Sequence, residues 1–219
     1  MNHLDLLTFA RGSALNWAMM IFAAGVVLRL FEIFGLGRKA DLARPRTDSP
    51  GSGWRTVFVR SLPAEGMLKR EPVTYISGYV FHTGLFLAIF FFAPHIPFFR
   101  NMTGLQWPNL PSALVDAAVV ASIVALSVLL AHRLNNPVKR LLSTAGDYVA
   151  WLVTLLPLLT GYLAYHHLFL EYTLMLALHI FSVELLLVVL PFTKLFHTFS
   201  LFISRWYNGD FFGRKGVAS

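Results

Sequence analysis

Hydrophobic residues fall into five long stretches of the chain, and shorter polar segments separate them. Each stretch is long enough to cross roughly 30 Å of hydrocarbon, which takes about 20 helical residues. Within the first stretch, Arg29 and Glu32 are three residues apart on one helical face, so we expect an ion pair or a snorkelling arginine there. The pattern predicts transmembrane helices at 15–36, 74–95, 112–132, 146–165 and 172–198.

Composition supports the same fold class. Hydrophobic residues make up 56% of the 219 positions and charged residues only 13%, which predicts an all-α, multi-pass membrane bundle forming a single domain over 1–219. The chain has no cysteine, so it forms no disulfide, no iron–sulfur cluster and no haem link through a Cys-x-x-Cys-His motif. Any redox cofactor must be held by other side chains.

The basic residues predict an orientation in the membrane. Of the 18 basic residues, only Arg11 and Arg100 fall in segments on the side of the N-terminus. The positive-inside rule therefore predicts an N-terminus outside and a C-terminus in the cytoplasm, and the net charge of +7 reflects topology rather than nucleic-acid binding. The basic residues expected on the cytoplasmic side are Arg38, Lys39, Arg44, Arg46, Arg55, Arg60, Lys69, Arg70, Arg133, Lys139, Arg140, Lys194, Arg205, Arg214 and Lys215.

Two polar segments are expected at the cytoplasmic face. The loop 37–73 is too short for a domain, but long enough to lie on the membrane surface or against a partner. The tail 199–219 follows the last apolar stretch. No soluble catalytic domain is evident, so we expect work on a water-soluble substrate to be done by another subunit.

Histidines at membrane depth are the candidate functional residues, because a polar, ionisable side chain there is costly and usually serves a function. Of the eight histidines, His82 and His95 fall on the second predicted helix, and His179 and His197 on the fifth. Because these helices run antiparallel, the four sort into an inner pair, His82 with His197, and an outer pair, His95 with His179. Two histidines on facing helices can hold a haem iron from both sides.

Helical spacing tests this pairing. His179 and His197 are 18 residues apart, or five whole turns, so on a continuous helix both rings share one face at depths roughly 27 Å apart. His82 and His95 would point to nearly opposite faces of an ideal helix. Pro94 lies between them and can re-aim His95.

Other interpretations of the histidines stay open. A single intramembrane histidine is more often a hydrogen-bonded core residue than a ligand. His166 and His167, in the outer turn after the fourth helix, compete for the outer cofactor. His132, beside Arg133 at a helix end, is expected to be an interfacial residue.

Several stretches resemble the gamma subunit of respiratory nitrate reductase, a membrane dihaem cytochrome b. "LPFTKLFHTFS", at 190–200, looks like the end of the family's last helix, and His179 lies at the family's 18-residue separation from His197. "NNPVKRLLSTAGDYVAWLVTLLPLLTGYL" is similar to the link between the third and fourth helices, including Gly146 and Asp147. "YVFHTGLFLAIFFFAPHI" resembles the second helix. The resemblance covers about four of the five helices.

One position departs from that family. In the nitrate reductase type, the two ligands of the second helix are ten residues apart, which would pair His82 with position 92, and that position is Phe92. The second histidine stands three residues later, at His95. This arrangement looks more like the related cytochrome b subunits that work with heterodisulfide-reductase-like iron–sulfur proteins.

The resemblance implies an electron-transfer subunit of a quinone-linked oxidoreductase complex in the cytoplasmic membrane of a bacterium or archaeon. Two bis-histidine b haems would connect the quinone pool to an iron–sulfur partner at the cytoplasmic face. By position, His95, Arg100 and Glu171 are quinone-site candidates, and an interfacial charge or a structural hydrogen bond explains each equally well. Basic residues at the inner edge either pair with haem propionates or only obey the positive-inside rule: Arg70, Arg133 and Lys194.

Three alternatives remain. The first is a single-haem version of the same subunit. The second is a haem-free membrane anchor that binds quinone and docks a soluble redox enzyme, with the histidines as hydrogen-bonded core residues. The third is a small transporter that uses histidines as proton relays, which is disfavoured because Glu184 is the only carboxylate well inside the fifth helix.

Overall fold

A computed structural model describes residues 2–37, 42–46 and 52–217 of the chain. Arg38 and Lys39, two of the basic residues used to predict orientation, lie outside these ranges. All regular elements within the described residues are helices. In chain order they are α1 His3–Phe9, α2 Leu15–Gly35, α3 Gly53–Val59, α4 Met67–Arg70, α5 Pro72–Phe91, α6 Ile96–Thr103, α7 Ser112–Asn135, α8 Pro137–Leu142, α9 Ala145–Tyr165, α10 Tyr172–Val189 and α11 His197–Arg214.

Five of the described helical segments are long and apolar enough to cross a membrane, which confirms the predicted number. Many large apolar side chains on them are exposed, such as Trp17, Val27 and Phe31 on α2. Such surface is typical of helices that face lipid rather than water. The five segments are His3–Gly35, Pro72–Phe91, Ser112–Asn135, Ala145–Tyr165 and Tyr172–Phe192.

The first spanning segment is one continuous helix with a π-helical turn. Ala10–Ala14 forms this turn and joins α1 to α2. Near the other end, Arg29 donates to Glu32, so the expected ion pair is confirmed. The Arg29 guanidinium also lies 5.7 Å from the centre of the Phe196 ring, which brings this end of α2 beside the start of α11.

The second spanning helix ends earlier than predicted. α5 ends at Phe91, and Phe92 has an extended backbone, with φ −75° and ψ 125°. Pro94 follows in a turn, and His95 is the residue before α6. The prediction of one helix over 74–95 is therefore wrong at its end, because the chain breaks before the proline. His95 is free of the helical register that would have turned it away from His82.

The fifth helix is also interrupted, and the continuous helix predicted over 172–198 is wrong. α10 gives way to two short 3₁₀ turns, Leu190–Phe192 and Lys194–Phe196, separated by an extended Thr193 with φ −125° and ψ −178°. Pro191 lacks an N–H and crowds the carbonyl four residues earlier, which ends an α-helix. His197 is the first residue of α11, so the five-turn geometry between His179 and His197 does not apply.

Small residues allow the spanning helices to approach closely. α5 packs on α7 where a Cβ at Gly84 would collide with Ser122 and with the Ala118 carbonyl. The Ser122 hydroxyl lies 2.8 Å from the Ala118 carbonyl oxygen and 3.3 Å from that of Phe81. Such contacts replace the hydrophobic driving force that lipid removes. The buried core beside this contact consists of Phe81, Ala125, Leu126 and Leu158.

The loop and the tail pack against each other, which the sequence did not indicate. α3, in the loop 37–73, lies along α11, which makes up most of the tail 199–219. The Ser52 hydroxyl donates to the Gly209 carbonyl at 3.1 Å. On the other side of the loop, Ser61 joins it to the bundle, because Tyr79 donates to its carbonyl at 2.5 Å and Arg205 to its hydroxyl at 2.9 Å.

Candidate metal centre

The structure brings the inner pair of histidines together. His82 lies in the middle of α5 and His197 begins α11, and their ring centres are 6.1 Å apart at an interplanar angle of 80°. The backbone break at Thr193 starts α11 in a new direction, so His197 reaches His82 by a turn rather than along a continuous helix. Both residues are exposed on the surface of the protein.

The outer pair also meets. His95 and His179 have ring centres 6.2 Å apart, and the two rings are nearly parallel, with an interplanar angle of 9°. Both residues are half-buried. The re-aiming of His95 by the turn at Pro94 makes this contact possible. The four histidines thus form two separate pairs, each joining the second spanning region to the fifth.

The separation within each pair fits a metal ion between two imidazoles. Two metal–nitrogen bonds of about 2 Å, with each ring centre roughly 1 Å behind its nitrogen, give about 6 Å between ring centres. Rings in plain contact have similar separations. The hydrogen bonds of the ring nitrogens are therefore more specific evidence for metal binding than the distance between the ring centres.

Three of the four histidines use Nδ1 for a hydrogen bond to a backbone carbonyl. A carbonyl only accepts, so each Nδ1 carries the hydrogen and each Nε2 keeps a free lone pair. Metal-binding histidines usually show this arrangement, because the second nitrogen fixes the tautomer and the ring orientation. The bonds are His82 to Gly78 at 2.7 Å, His95 to Ala88 at 2.8 Å and His197 to Lys194 at 2.9 Å.

His179 reaches the same tautomer through a hydroxyl. Its Nδ1 lies 3.3 Å from Thr160 Oγ1, and the Thr160 hydroxyl hydrogen is directed to the Leu156 carbonyl at 2.7 Å. The threonine oxygen therefore accepts from His179. Gly161 faces the same ring, and a Cβ there would lie 3.0 Å from His179 Cε1. A side chain at this position would therefore press on the His179 ring.

Aromatic side chains enclose the outer pair. Phe92 contacts the edge of His95 at 5.3 Å between ring centres and Tyr165 at 5.2 Å. Phe92, which stands where the nitrate reductase type has a ligand, thus packs on the ligand candidate that replaces it. His166 lies 2.8 Å from Asp116, and the His167 ring stacks on Tyr172 at 4.7 Å. The two competing histidines have other partners.

A cavity of about 910 Å³ adjoins the inner pair and reaches His82. This volume lies within the range of cofactor and ligand pockets. Its walls include Phe86, Leu130, Trp151 and Phe202, so most of the lining is apolar. Basic side chains lie on the same lining: Arg133, Lys139 and Arg205.

The predicted propionate candidates are placed differently from one another. Arg133 lines the cavity and donates to Ser143 at 2.9 Å. Lys194 forms an ion pair with Asp147 at 2.7 Å, and Asp147 lines the cavity. Arg70 ends α4 and is not among the described residues that line the cavity.

Sequence reasoning missed Lys139 and Arg205 as cavity residues. Arg205 follows His197 by eight residues on α11, which turns it about 80° round the helix from His197, so helical spacing from that histidine did not indicate it. Lys139 Nζ lies 2.6 Å from Glu71, and this hydrogen bond, with those from Thr74 and His132, lowers the pKa of Glu71 to about 2. Glu71 precedes α5, so the pair fastens the short helix α8 that follows α7 to the helix that carries His82.

The three quinone-site candidates do not form one cluster. Arg100 is an exposed residue of α6, and His95 belongs to the outer pair. Glu171 caps α10 by accepting from Leu174 at 3.1 Å, and its hydrogen bonds to Thr173 are the main reason that its pKa is lowered to about 2. Glu171 also lines a shallow pocket of about 460 Å³ that includes His3, whose Nδ1 lies 3.3 Å from the Glu171 carboxylate.

Comparison with known proteins identifies a relative without indicating an activity. A protein of Nitratidesulfovibrio vulgaris (strain Hildenborough) is 32% identical over 217 residues, which cover 96% of this chain and 96% of that protein. The chain belongs to the same family as this protein, whose name is simply "Protein". No protein-family profile matches the chain, and no solved structure matches it.

Proposed function

We propose that the chain is a haem b membrane subunit of a quinone-linked oxidoreductase complex. It passes electrons between the quinone pool and a cytoplasmic iron–sulfur partner through two bis-histidine haems. The observation that supports this most strongly is the arrangement of four histidines as two pairs with ring centres 6.1 and 6.2 Å apart. In all four, Nδ1 is held by an acceptor and Nε2 is free to bind iron.

The residues of each pair would hold the iron and leave it no open coordination position. Such a haem supplies one-electron transfer and binds no substrate. The Nδ1 hydrogen bonds fix the ring orientations and make each Nε2 a stronger donor, which favours the oxidised iron. At the outer pair, Phe92 packs on His95, and the two histidines are more buried than the inner pair, so the potential of an outer haem would differ from that of an inner one.

The inner cavity supports the placement of a porphyrin beside His82. Apolar walls suit the macrocycle, and a guanidinium pairs well with the carboxylate of a propionate. We assign the propionate contacts to Arg133, Lys139 and Arg205 on the cavity lining, with Lys194 acting through Asp147. Arg70 would then contribute only to the positive charge that orients the chain in the membrane.

The remaining parts of the proposal follow from the resemblance and the composition. The chain has no cysteine, so electrons that leave or enter the inner haem on the cytoplasmic side need an iron–sulfur partner. The quinone would exchange electrons at the outer end, where His95, Arg100 and Glu171 stay the candidates. The location is the cytoplasmic membrane of a bacterium or archaeon, with the N-terminus outside.

The absorption spectrum of the purified chain tests this function. We expect reduced-minus-oxidised bands of b-type haem, and a pyridine haemochrome ratio of two haems per chain. A colourless protein that remains folded would contradict haem binding and favour the quinone-binding anchor. A ratio of one would contradict the outer pair and leave the single-haem version.

A further inference from the structure

A carboxyl group lies buried inside the fifth spanning helix, and one of its two oxygens has no hydrogen-bond partner among the described residues. Glu184 is 7% exposed, and its Oε1 has no hydrogen-bond partner in the part of the chain that the structure describes. A carboxylate in such a place pays a large desolvation cost, whereas the protonated acid pays much less. The proposed electron transfer between the two histidine pairs does not use the Glu184 carboxyl.

Glu184 lies on the fifth spanning segment, between two residues that contact the first spanning helix, Phe181 and Pro191. It shares a seven-residue row on the fifth spanning segment with Ala177 and Pro191, both buried. Pro191 packs on Gly25, where a Cβ would lie 2.7 Å from the proline Cβ. Three residues before Glu184, Phe181 meets Phe9 at 6.3 Å between ring centres.

The Phe181–Phe9 and Pro191–Gly25 contacts lie before and after Glu184, so the part of the first helix at the depth of Glu184 falls between residues 9 and 25. Between residues 9 and 25 of that helix, Arg11 is the sole ionisable residue, and its side chain is exposed. Arg11 makes no ion pair with Glu184 in the described part of the chain. The buried residues of this stretch are all small and uncharged: Ala10, Ala18 and Gly25.

The other titratable groups near α10 have partners of their own or lie near the helix ends. On the first helix, Arg29 pairs with Glu32. On α9, Asp147 pairs with Lys194. The charged and titratable groups on α10 and on the elements packed against it are His3, Asp5, Arg11, Arg29, Glu32, Asp147, Tyr148, Tyr162, Tyr165, Tyr172 and His179.

The outer pair lies close enough to sense the charge of Glu184. His179 is five residues away on the same helix, about 7.5 Å along the axis and on the other side of it. Over such distances, two charges in a protein interior interact far more strongly than in water. A cofactor held by His95 and His179 carries one more positive charge when its iron is oxidised, which favours the carboxylate, and loses that charge when reduced.

We propose that Glu184 is an intramembrane proton-binding site whose occupancy follows the oxidation state of the cofactor at the outer pair, an inference that rests on the proposed function. A quinol that donates its two electrons in turn releases its two protons and becomes the quinone. Each electron would reduce the cofactor once, and one solvent proton (H₃O⁺ leaving H₂O) would then bind the Glu184 carboxylate, so the interior gains no net charge. When the electron passes on to the next acceptor, the proton would return to the solvent. The site thereby links electron transfer to proton uptake within the membrane.

Redox-difference infrared spectroscopy of the haem-loaded chain in vesicles tests this proposal. We expect reduction to produce a carbonyl-stretch band of a protonated carboxylic acid, which Glu184→Gln removes and the matched control Glu32→Gln keeps. The midpoint potential of the outer haem should fall as pH rises in the unmodified chain and lose most of this slope in Glu184→Gln. An unchanged band and slope in a Glu184→Gln protein with full haem content would overturn the proposal.

A second measurement needs no variant. A hydrophobic carbodiimide modifies protonated carboxyls, so mass spectrometry of labelled wild-type protein should find Glu184 modified several-fold faster in dithionite-reduced than in oxidised membranes. Equal rates would also overturn the proposal. Absence of any b-type haem in the same preparation would instead contradict the proposed function, so the two failures are distinguishable.

Discussion

The two histidine pairs differ in how the chain builds them. The inner pair is exposed, its rings are nearly perpendicular, and it adjoins the cavity of about 910 Å³. The outer pair is half-buried, its rings are nearly parallel, and Phe92, Tyr165 and Gly161 pack around it. The inner pair therefore depends on polar contacts at an open site, whereas the outer pair depends on close packing.

Removal of a ligand should have the largest effect and should act on one pair at a time. We expect His197→Ala to remove one haem and leave the other with its spectrum and potential nearly unchanged, because the two pairs share no residue. His95→Ala should remove the other haem. Haem content by pyridine haemochrome and a redox titration measure both outcomes. The control is His167→Ala, which changes a histidine that stacks on Tyr172 and belongs to neither pair. Loss of a haem there would contradict the assignment.

Crowding should affect the outer pair alone. Gly161→Ala places a Cβ about 3 Å from the His179 ring, and overpacking of this kind costs about 1–3 kcal/mol. We expect outer-haem affinity to fall by about five- to hundred-fold, measured by haem transfer to excess apomyoglobin, while the inner haem is retained. Gly12→Ala on the first spanning segment is the matched control, since its Cβ would meet nothing within 4 Å. Equal loss of both haems in Gly161→Ala would refute the distinction between the two pairs.

Removal of the Arg205 guanidinium should weaken haem retention at the inner pair alone. Arg205→Met deletes a cavity cation, and a charged hydrogen bond contributes about 1.5–3 kcal/mol, so we expect inner-haem loss to quicken about tenfold or more. Arg205→Lys should restore part of the retention, because the charge returns without the planar fork. Arg70→Met, outside the cavity lining, should change little. A larger effect from Arg70→Met than from Arg205→Met would reverse our choice of propionate contacts.

Acid should weaken the Lys139–Glu71 contact, with a smaller effect than the substitutions above. Lys139 is the main reason that the pKa of Glu71 is lowered from 4.5 to about 2 in the folded chain. The lowered pKa means that this contact stabilises the fold above about pH 4.5 and that the contribution is lost as pH falls towards 2. In detergent, the melting temperature of the unmodified chain should fall slightly more between pH 4.5 and pH 2 than that of Glu71→Gln. Identical pH profiles would show that the ion pair contributes nothing.

The sequence predicted the large features of the fold because long apolar stretches have few alternatives in a membrane. The five spanning segments appeared in the expected number and order, and the Arg29–Glu32 pair followed from helical spacing. The first segment begins earlier than predicted, at His3, and the second and fifth end earlier. Sorting by depth brought together the same histidines that the structure pairs. These predictions rest on chain order and on rise per residue, which local breaks change little.

The breaks themselves were harder to predict. A helical register applies only while the helix continues, and both ligand-bearing segments leave the α-helix near a proline, Pro94 or Pro191, shortly before a histidine. The expected re-aiming of His95 agrees with the structure, whereas the interruption before His197 was missed. The Nδ1 bonds and the contact of α3 with α11 depend on tertiary positions that no sequence pattern specifies.

The central claim is that each histidine pair holds one haem, and double variants test it most directly. We predict that His82→Ala combined with His197→Ala still leaves one haem per chain, as does His95→Ala combined with His179→Ala. His82→Ala combined with His179→Ala should leave none. The measurement is haem per chain by pyridine haemochrome in folded, membrane-inserted protein. Retention of one haem in the cross-pair double variant, or loss of both in a within-pair variant, would contradict the account.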